Sequence, residues 1–324
     1  LGKSLLLIST LEEDRAFAAE VAITAGLTLE TVATAEEGAQ VIAADRAAVV
    51  FVDATSETVY QAFERGIQAT IGLFSEKISN NYFHFLTDSG PEESHYLLMS
   101  PLFGNLIMRN FGLIQEAGPH YGRLVKASIA DKIFGLPKLM SPEAKVQIVK
   151  LQSTAQKQDA VDAVKNYLIA AQFPGRIATT IANSVDELLM NAMFDAPVDE
   201  LGKPTFSKLD RATVMKLEGK GAVELHIGYD GTYLGLSVVD QWGSLDKAKL
   251  LQHISKLYRN EEYKIRTTTA GAGIGLASVF HAGGSFIFAS ENRLKTEVTV
   301  FYRRTDSFKT FRDQFRFMMT QNYF

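Results

Sequence analysis

The strongest constraint on the fold is an alternation running through residues 4–117, where apolar runs too short for core helices are separated by longer amphipathic stretches. "SLLLIS" (4–9) reads as a buried strand, "EDRAFAAEVAITAG" as a helix closed by Gly26, and "LETVA" as a second strand. "AEEGAQVIAAD" follows as a helix, and "AAVVFVDA" as a third buried strand ending at Asp53. A helical stretch over roughly 56–79 precedes two further strand candidates, "YFHFLTD" and "HYLLMSP", and "LFGNLIMRNFGLIQEA" is expected to be the closing helix. Apolar runs bury on both faces of a sheet only if helices cover both faces, so this order predicts a doubly wound α/β layer with a parallel sheet.

The chain has 324 residues, enough for two domains of ordinary size, and its 46% apolar content supplies a core for each. It has no cysteine, which excludes disulfides, thiolate metal sites and cysteine catalysis. A net charge of −4 argues against nucleic acid or an anionic membrane as partner. No apolar run approaches the ~18 residues of a membrane span, and the N-terminus lacks a signal-peptide pattern, so no membrane insertion and a cytoplasmic location are expected.

Composition changes after residue 117. Residues 118–165, including the polar "SPEAKVQIVKLQSTAQKQDAVDAVKNYLIAA", read as a helical connector. Residues 166–303 have a different order: a long helix, an insertion, a hairpin, a helix, a glycine-rich loop with a helix, and strands. "AVELHIGYDGTYLGLSVVD" is two strands joined by Asp230-Gly231, a strong hairpin signal. The tail 304–324 is rich in aromatic residues and methionine and is expected to dock on another surface.

Four pieces of 166–303 carry chemistry. In "SVDELLMNAMFDAP", Glu187, Asn191 and Asp195 recur at four-residue spacing beside the apolar stripe Ile177, Ile181, Val185 and Leu188. Oxygen donors on such a helix suit Mg²⁺, and Glu187 can accept a proton; the alternative is an amphipathic helix with a solvated polar flank. In "LSVVDQWGSLD", Asp240 ends an apolar strand before a turn at Gly243, where a carboxylate either accepts an amine or simply forms the turn. In "TAGAGIGLASVF", Gly271, Gly273 and Gly275 precede a helix, an arrangement that lets backbone N–H groups approach a phosphate or serves as a flexible turn. Finally, "RLKTEVTVFYRR" opens a strand at Thr296.

In this order and spacing the pieces resemble the histidine-kinase-like (GHKL) ATPase superfamily over residues 166–303. The resemblance implies an α+β Bergerat-type sandwich with ATP and Mg²⁺ as cofactors. It assigns Asn191 to the metal, Glu187 to the catalytic base, and Asp240 and Thr296 to adenine. Gly243 falls to the adenine turn, Gly271, Gly273 and Gly275 to the phosphates, and 260–270 to a lid. Trp242 and Ser244 stand where the family has glycines. None of the six histidines precedes an acidic residue or lies on 141–171, which argues against histidine autophosphorylation.

The anti-sigma serine-kinase branch is the nearer likeness. It implies a cytoplasmic signalling protein that phosphorylates a partner protein on Ser or Thr or acts as an ATP-dependent switch; the alternative is a non-catalytic scaffold. Residues 1–117 resemble a response-regulator receiver, with Asp53 at the phosphoacceptor position, Thr87 at the signalling hydroxyl, and Ser100-Pro101 at the place of a Lys-Pro pair. Ser9 and Thr10 stand where the first strand of a receiver delivers acids; Glu12, Glu13 and Asp14, slightly later, either substitute for those acids or form the acidic first turn of a helix, and the helix start is the expectation. These departures imply a pseudo-receiver used for binding or homodimerisation.

Overall fold

A computed structural model describes residues 3–71, 79–130, 133–259, 279–280 and 282–323. The chain is a mixed α/β protein of two compact units, Leu1–Ile133 with Arg316–Gln321, and Phe134–Phe315 with Asn322–Phe324. No described helix is long and apolar enough to cross a membrane.

The first unit begins β1 (Ser4–Ile8), α1 (Glu12–Ala25), β2 (Thr28–Val32), α2 (Ala35–Ala43), β3 (Ala47–Asp53) and α3 (Glu57–Ile71). It continues through β4 (Phe83–Thr87), α4 (His95–Leu98), β5 (Asn105–Met108) and α5 (Ile114–Ala130). The five strands pair in parallel in the order β2-β1-β3-β4-β5, as the alternation predicts. Local signals set the helix limits. Gly26, at φ +74, donates its N–H to the carbonyls that end α1, and a Thr34–Glu37 capping box starts α2. α1 packs closely on α5 because glycines face it: a Cβ at Gly118 would lie 2.3 Å from the Glu20 Cβ, and one at Gly122 2.6 Å from the Thr24 Cβ.

Two expected elements differ. "HYLLMSP" is not a strand but the single turn of α4, and "LFGNLIMRNFGLIQEA" is not one helix but β5 followed by the start of α5. Short apolar runs do not reveal their own period, and Gly104 and Gly112 bracket "NLIM" as a buried strand. The aromatic tail contributes part of β11 (Phe317–Tyr323), in which Phe317, Met318 and Met319 pair antiparallel with Ile107, Leu106 and Asn105. Gln321 reinforces that edge by donating to the Asn105 side chain at 2.8 Å and accepting from Ser128 at 2.7 Å.

The second unit holds α6 (Leu136–Leu139), β6 (Lys145–Leu151), α7 (Lys157–Ala170) and α8 (Gly175–Met190), which runs on into a π-helical turn at Asn191–Asp195. Then come β7 (Val223–Tyr229), β8 (Tyr233–Asp240), α9 (Lys247–Arg259), β9 (Ser285–Glu291), β10 (Lys295–Arg303) and α10 (Phe308–Arg312). The polar stretch read as a helical connector holds α7 but also a strand, β6. The side chains of β6 are mostly exposed, so it carries little of the apolar alternation by which a strand is recognised. The sheet is antiparallel in the order β9-β10-β8-β7-β6. Its β7–β8 hairpin turns where expected, with the Asp230 carboxylate accepting from the N–H groups of Thr232 and Tyr233 and Gly231 at φ +93. The stripe Ile177, Ile181, Val185 and Leu188 is buried, and α8 packs on α7 and β8, which fixes where its polar flank lies.

Candidate functional site

β8 is buried along nearly its whole length and delivers Asp240 at its C-terminal end, 5% exposed. Antiparallel register places Thr296 of β10, 4% exposed, directly opposite. The Asp240 Oδ1 accepts the Trp242 N–H at 2.8 Å, so the chain turns immediately. Gly243 completes that turn at φ +58, where any Cβ would lie 2.0 Å from the Glu291 carbonyl oxygen; only glycine fits. The Gly243 carbonyl in turn accepts from the Arg293 N–H, holding the turn against the β9–β10 hairpin.

Burial pushes the Asp240 carboxyl up to about 7, against the opposing pull of the Trp242, Gly243 and Thr296 backbone N–H groups and the Lys220 charge. Two buried polar atoms here have no hydrogen-bond partner among the described residues, the Thr296 Oγ1 and the Trp242 Nε1. Lys220 approaches the Trp242 ring to 5.1 Å from its centre and donates to the Arg293 carbonyl at 3.1 Å.

The helix bearing Glu187 and Asn191 is tied to the same turn. Ser244 donates to the Ala196 carbonyl at 2.7 Å, at the end of the π-helical turn, and that turn packs against β8. Inserted π turns are frequent where a helix carries a functional side chain. Asn191 opens this one, and its side chain has no hydrogen-bond partner among the described residues. Glu187 is half-buried and its carboxyl is likewise without a hydrogen bond among the described residues. Burial and then Asp186 raise its pKa, while Arg211 and Lys157 pull it down and Asp195 adds a smaller push upward.

Asp195, the third member of the stripe, is committed elsewhere. Arg211 donates to both of its oxygens, at 3.0 and 3.1 Å, and also faces the Met190 carbonyl at 3.4 Å. Among the described residues, Glu187 and Asn191 thus have no side-chain hydrogen bond, whereas Asp195 is fixed by Arg211. Gly271, Gly273, Gly275 and the stretch 260–270 lie outside the described residues. Among the described residues no group of three or more His, Asp or Glu side chains gathers to hold a metal ion.

In the first unit, Asp53 closes β3, but its surroundings differ from the expected ones. Ser100 lies in the turn after α4, bonded to the Tyr60 hydroxyl, and Arg109 follows β5 and donates to Asp53 at 2.7 Å. Glu12, Glu13 and Asp14 form the acidic first turn of α1, as expected, and Asp14 is in addition fully buried, accepting from Ser9 at 2.7 Å and from Arg109. Thr87 is buried and shares a hydrogen bond with Ser94 at 3.1 Å. The one signal for Arg109 in sequence was its position directly after the apolar "NLIM", which becomes informative only once that run is known to be a strand. Compared with known proteins, the chain matches no protein-family model and no curated protein.

Proposed function

We propose that the second unit binds Mg-ATP in the manner of the histidine-kinase-like ATPases and passes the signal on by phosphorylating a partner protein on Ser or Thr, or by switching with nucleotide. One observation carries the reading: a buried carboxylate, Asp240, faces a buried hydroxyl, Thr296, that has no partner among the described residues. Buried polar groups are normally satisfied, and an unsatisfied one costs about 1–3 kcal/mol, so a ligand is the natural complement. An ionised carboxylate only accepts, which matches the exocyclic amine of adenine, and the Thr296 hydroxyl can donate to a ring nitrogen.

The residues present fit the metal as well. An amide oxygen is a ligand Mg²⁺ accepts, and a site with one protein oxygen relies on phosphates and waters for the rest, so Asn191 would hold the ion. Bound there, the ion would neutralise phosphate charge. Glu187, half-buried and free of hydrogen bonds among the described residues, takes the proton from an attacking hydroxyl. Gly271, Gly273 and Gly275 are assigned to the phosphates on the resemblance alone. For the first unit, the strand order 2-1-3-4-5 supports a receiver-like layer acting in partner binding or homodimerisation.

Titration calorimetry with Mg-ATP tests the reading: binding is expected in the wild type and lost in Asp240→Ala and Asn191→Ala. No binding at millimolar nucleotide refutes it. Incubation with labelled ATP and candidate partners then separates the outcomes, and binding without transfer or hydrolysis assigns the chain to the scaffold class.

A further inference from the structure

Parallel α/β sheets take their ligands at the carboxyl ends of the strands, and in the first unit that edge is filled by the chain's own cation. The Arg109 side chain is 3% exposed. A guanidinium has five N–H donors, and each has an acceptor here. Nε meets the Asp14 Oδ1 at 2.8 Å, and Nη2 meets the Asp14 Oδ2 at 3.0 Å and the Asp53 Oδ1 at 2.7 Å. Nη1 meets the Thr55 Oγ1 at 2.5 Å and the Asp88 Oδ1 at 3.1 Å. The grip on Asp14 is bidentate, the arrangement that most restricts a guanidinium. At Asp53 the bonds converge on one oxygen: besides Arg109, its Oδ1 accepts the Thr55 N–H at 3.0 Å and the Thr55 hydroxyl at 2.5 Å.

We propose that Arg109 is the permanent occupant of this carboxylate pocket, clamping the segments after β1, β3, β4 and β5, and that Asp53 is an ion-pair member of the clamp and not an acceptor of phosphoryl groups. Electrostatics and geometry agree. Three carboxylates against one guanidinium leave the pocket negative, which repels an acyl phosphate, and no guanidinium N–H remains to meet phosphoryl oxygens. The first unit is then a fixed scaffold whose loops hold one arrangement whatever the phosphorylation state of its surroundings. This holds whether or not the second unit binds nucleotide.

The test uses the full chain. Incubation with acetyl phosphate and Mg²⁺, read by intact mass and peptide mapping, is expected to leave Asp53 unmodified. In ¹⁵N spectra of arginine side chains, with Arg109→Lys used for assignment, the Arg109 Nε–H is expected to exchange far more slowly than those of exposed arginines and to stay unmoved by millimolar Mg²⁺. Arg109→Met is expected to lower the melting temperature steeply, because it strands Asp14, and Asp14→Asn in the same chain is expected to restore part of the loss. A phosphoryl adduct that disappears in Asp53→Asn overturns the proposal, as does an Arg109 Nε–H exchanging as fast as surface arginines.

Discussion

Replacing Asp240 with asparagine separates stability from binding, with opposite signs. Asp240 in the folded chain titrates at about 7 against an ordinary 3.8, because burial penalises its charge. A folded-state pKa above the unfolded value means that the folded chain binds this proton more tightly. The stability it contributes is therefore fully present below about pH 4 and is lost as pH rises toward 7. The gap corresponds to about 4 kcal/mol of destabilisation once the carboxylate is ionised. Asparagine cannot ionise and keeps an oxygen for the Trp242 N–H, but it turns its amide NH₂ into the pocket, an unmet donor costing about 1–3 kcal/mol. At pH 8 the variant is thus expected to be more stable than wild type by about 1–3 kcal/mol, and at pH 5 the gain is expected to disappear. Under the proposed function, nucleotide binding is expected to respond the other way, because the new NH₂ would oppose the adenine amine, donor against donor, and affinity is expected to fall by at least about tenfold. In wild type the affinity for adenosine, which has no titrating phosphate, is expected to fall about tenfold per pH unit below 7, since only the ionised carboxylate accepts. Thermal melts of both proteins across pH 5–8, with calorimetric binding alongside, measure each quantity. A wild-type-to-variant stability difference that does not change with pH refutes the reasoning, as does Asp240→Asn binding nucleotide as wild type does.

Asn191→Ala is expected to remove the enhancement of ATP affinity by Mg²⁺ over chelator, measured as paired titrations. Glu187→Gln is expected to bind ATP normally and to transfer no phosphoryl group. In the wild type, the acid limb of the rate profile is expected above the usual carboxylate range because burial raises the Glu187 pKa. Gly243→Ala puts a Cβ 2.0 Å from a backbone carbonyl at a left-handed φ, and strain of about 1–3 kcal/mol or more is expected, seen as a lower melting temperature together with lost nucleotide binding. Met318→Ala truncates a fully buried side chain on the strand paired with β5 and is expected to cost about 2–5 kcal/mol in denaturant unfolding of the first unit.

How much of this was legible depends on whether the governing interaction is local. β1, β3 and β4 could be read because each is an apolar run, and the more polar β2 because Gly26 and Thr34 bracket it. Past Thr87 the runs shorten, and whether "NLIM" is a strand depends on the neighbours that receive it, β4 on one side and residues 317–319 on the other. In the second unit, Asp240 and Thr296 were both visible, but a hairpin-distant register is a tertiary fact, and register alone makes them a pair. Arg211 and Asp195 are 16 residues apart, and their ion pair lies in a turn-rich excursion with no periodicity to betray it. The same holds for Ser244, whose bond to the Ala196 carbonyl gives a physical reason for a serine where the resembling family has glycine.

The two buried carboxylate sites teach opposite lessons about what an acid at a strand end means. Asp14 and Asp53 sit at the ligand-binding edge of a parallel sheet, where position suggests chemistry, yet their partners come from within the chain. Asp240 sits at the end of an antiparallel strand, where position suggests only a turn. It nevertheless carries a proton affinity raised by burial and stands opposite a hydroxyl that has no partner among the described residues. Burial is common to both, so burial cannot distinguish them; the supply of donors can. The Asp14 carboxylate has both oxygens met by Arg109, and one of them by Ser9 as well. Asp240 is met by backbone N–H groups, those of Trp242, Gly243 and Thr296, while the Thr296 hydroxyl across from it has no partner among the described residues. An aminopurine edge presents a donor and an acceptor side by side, and the proposed function rests on that match.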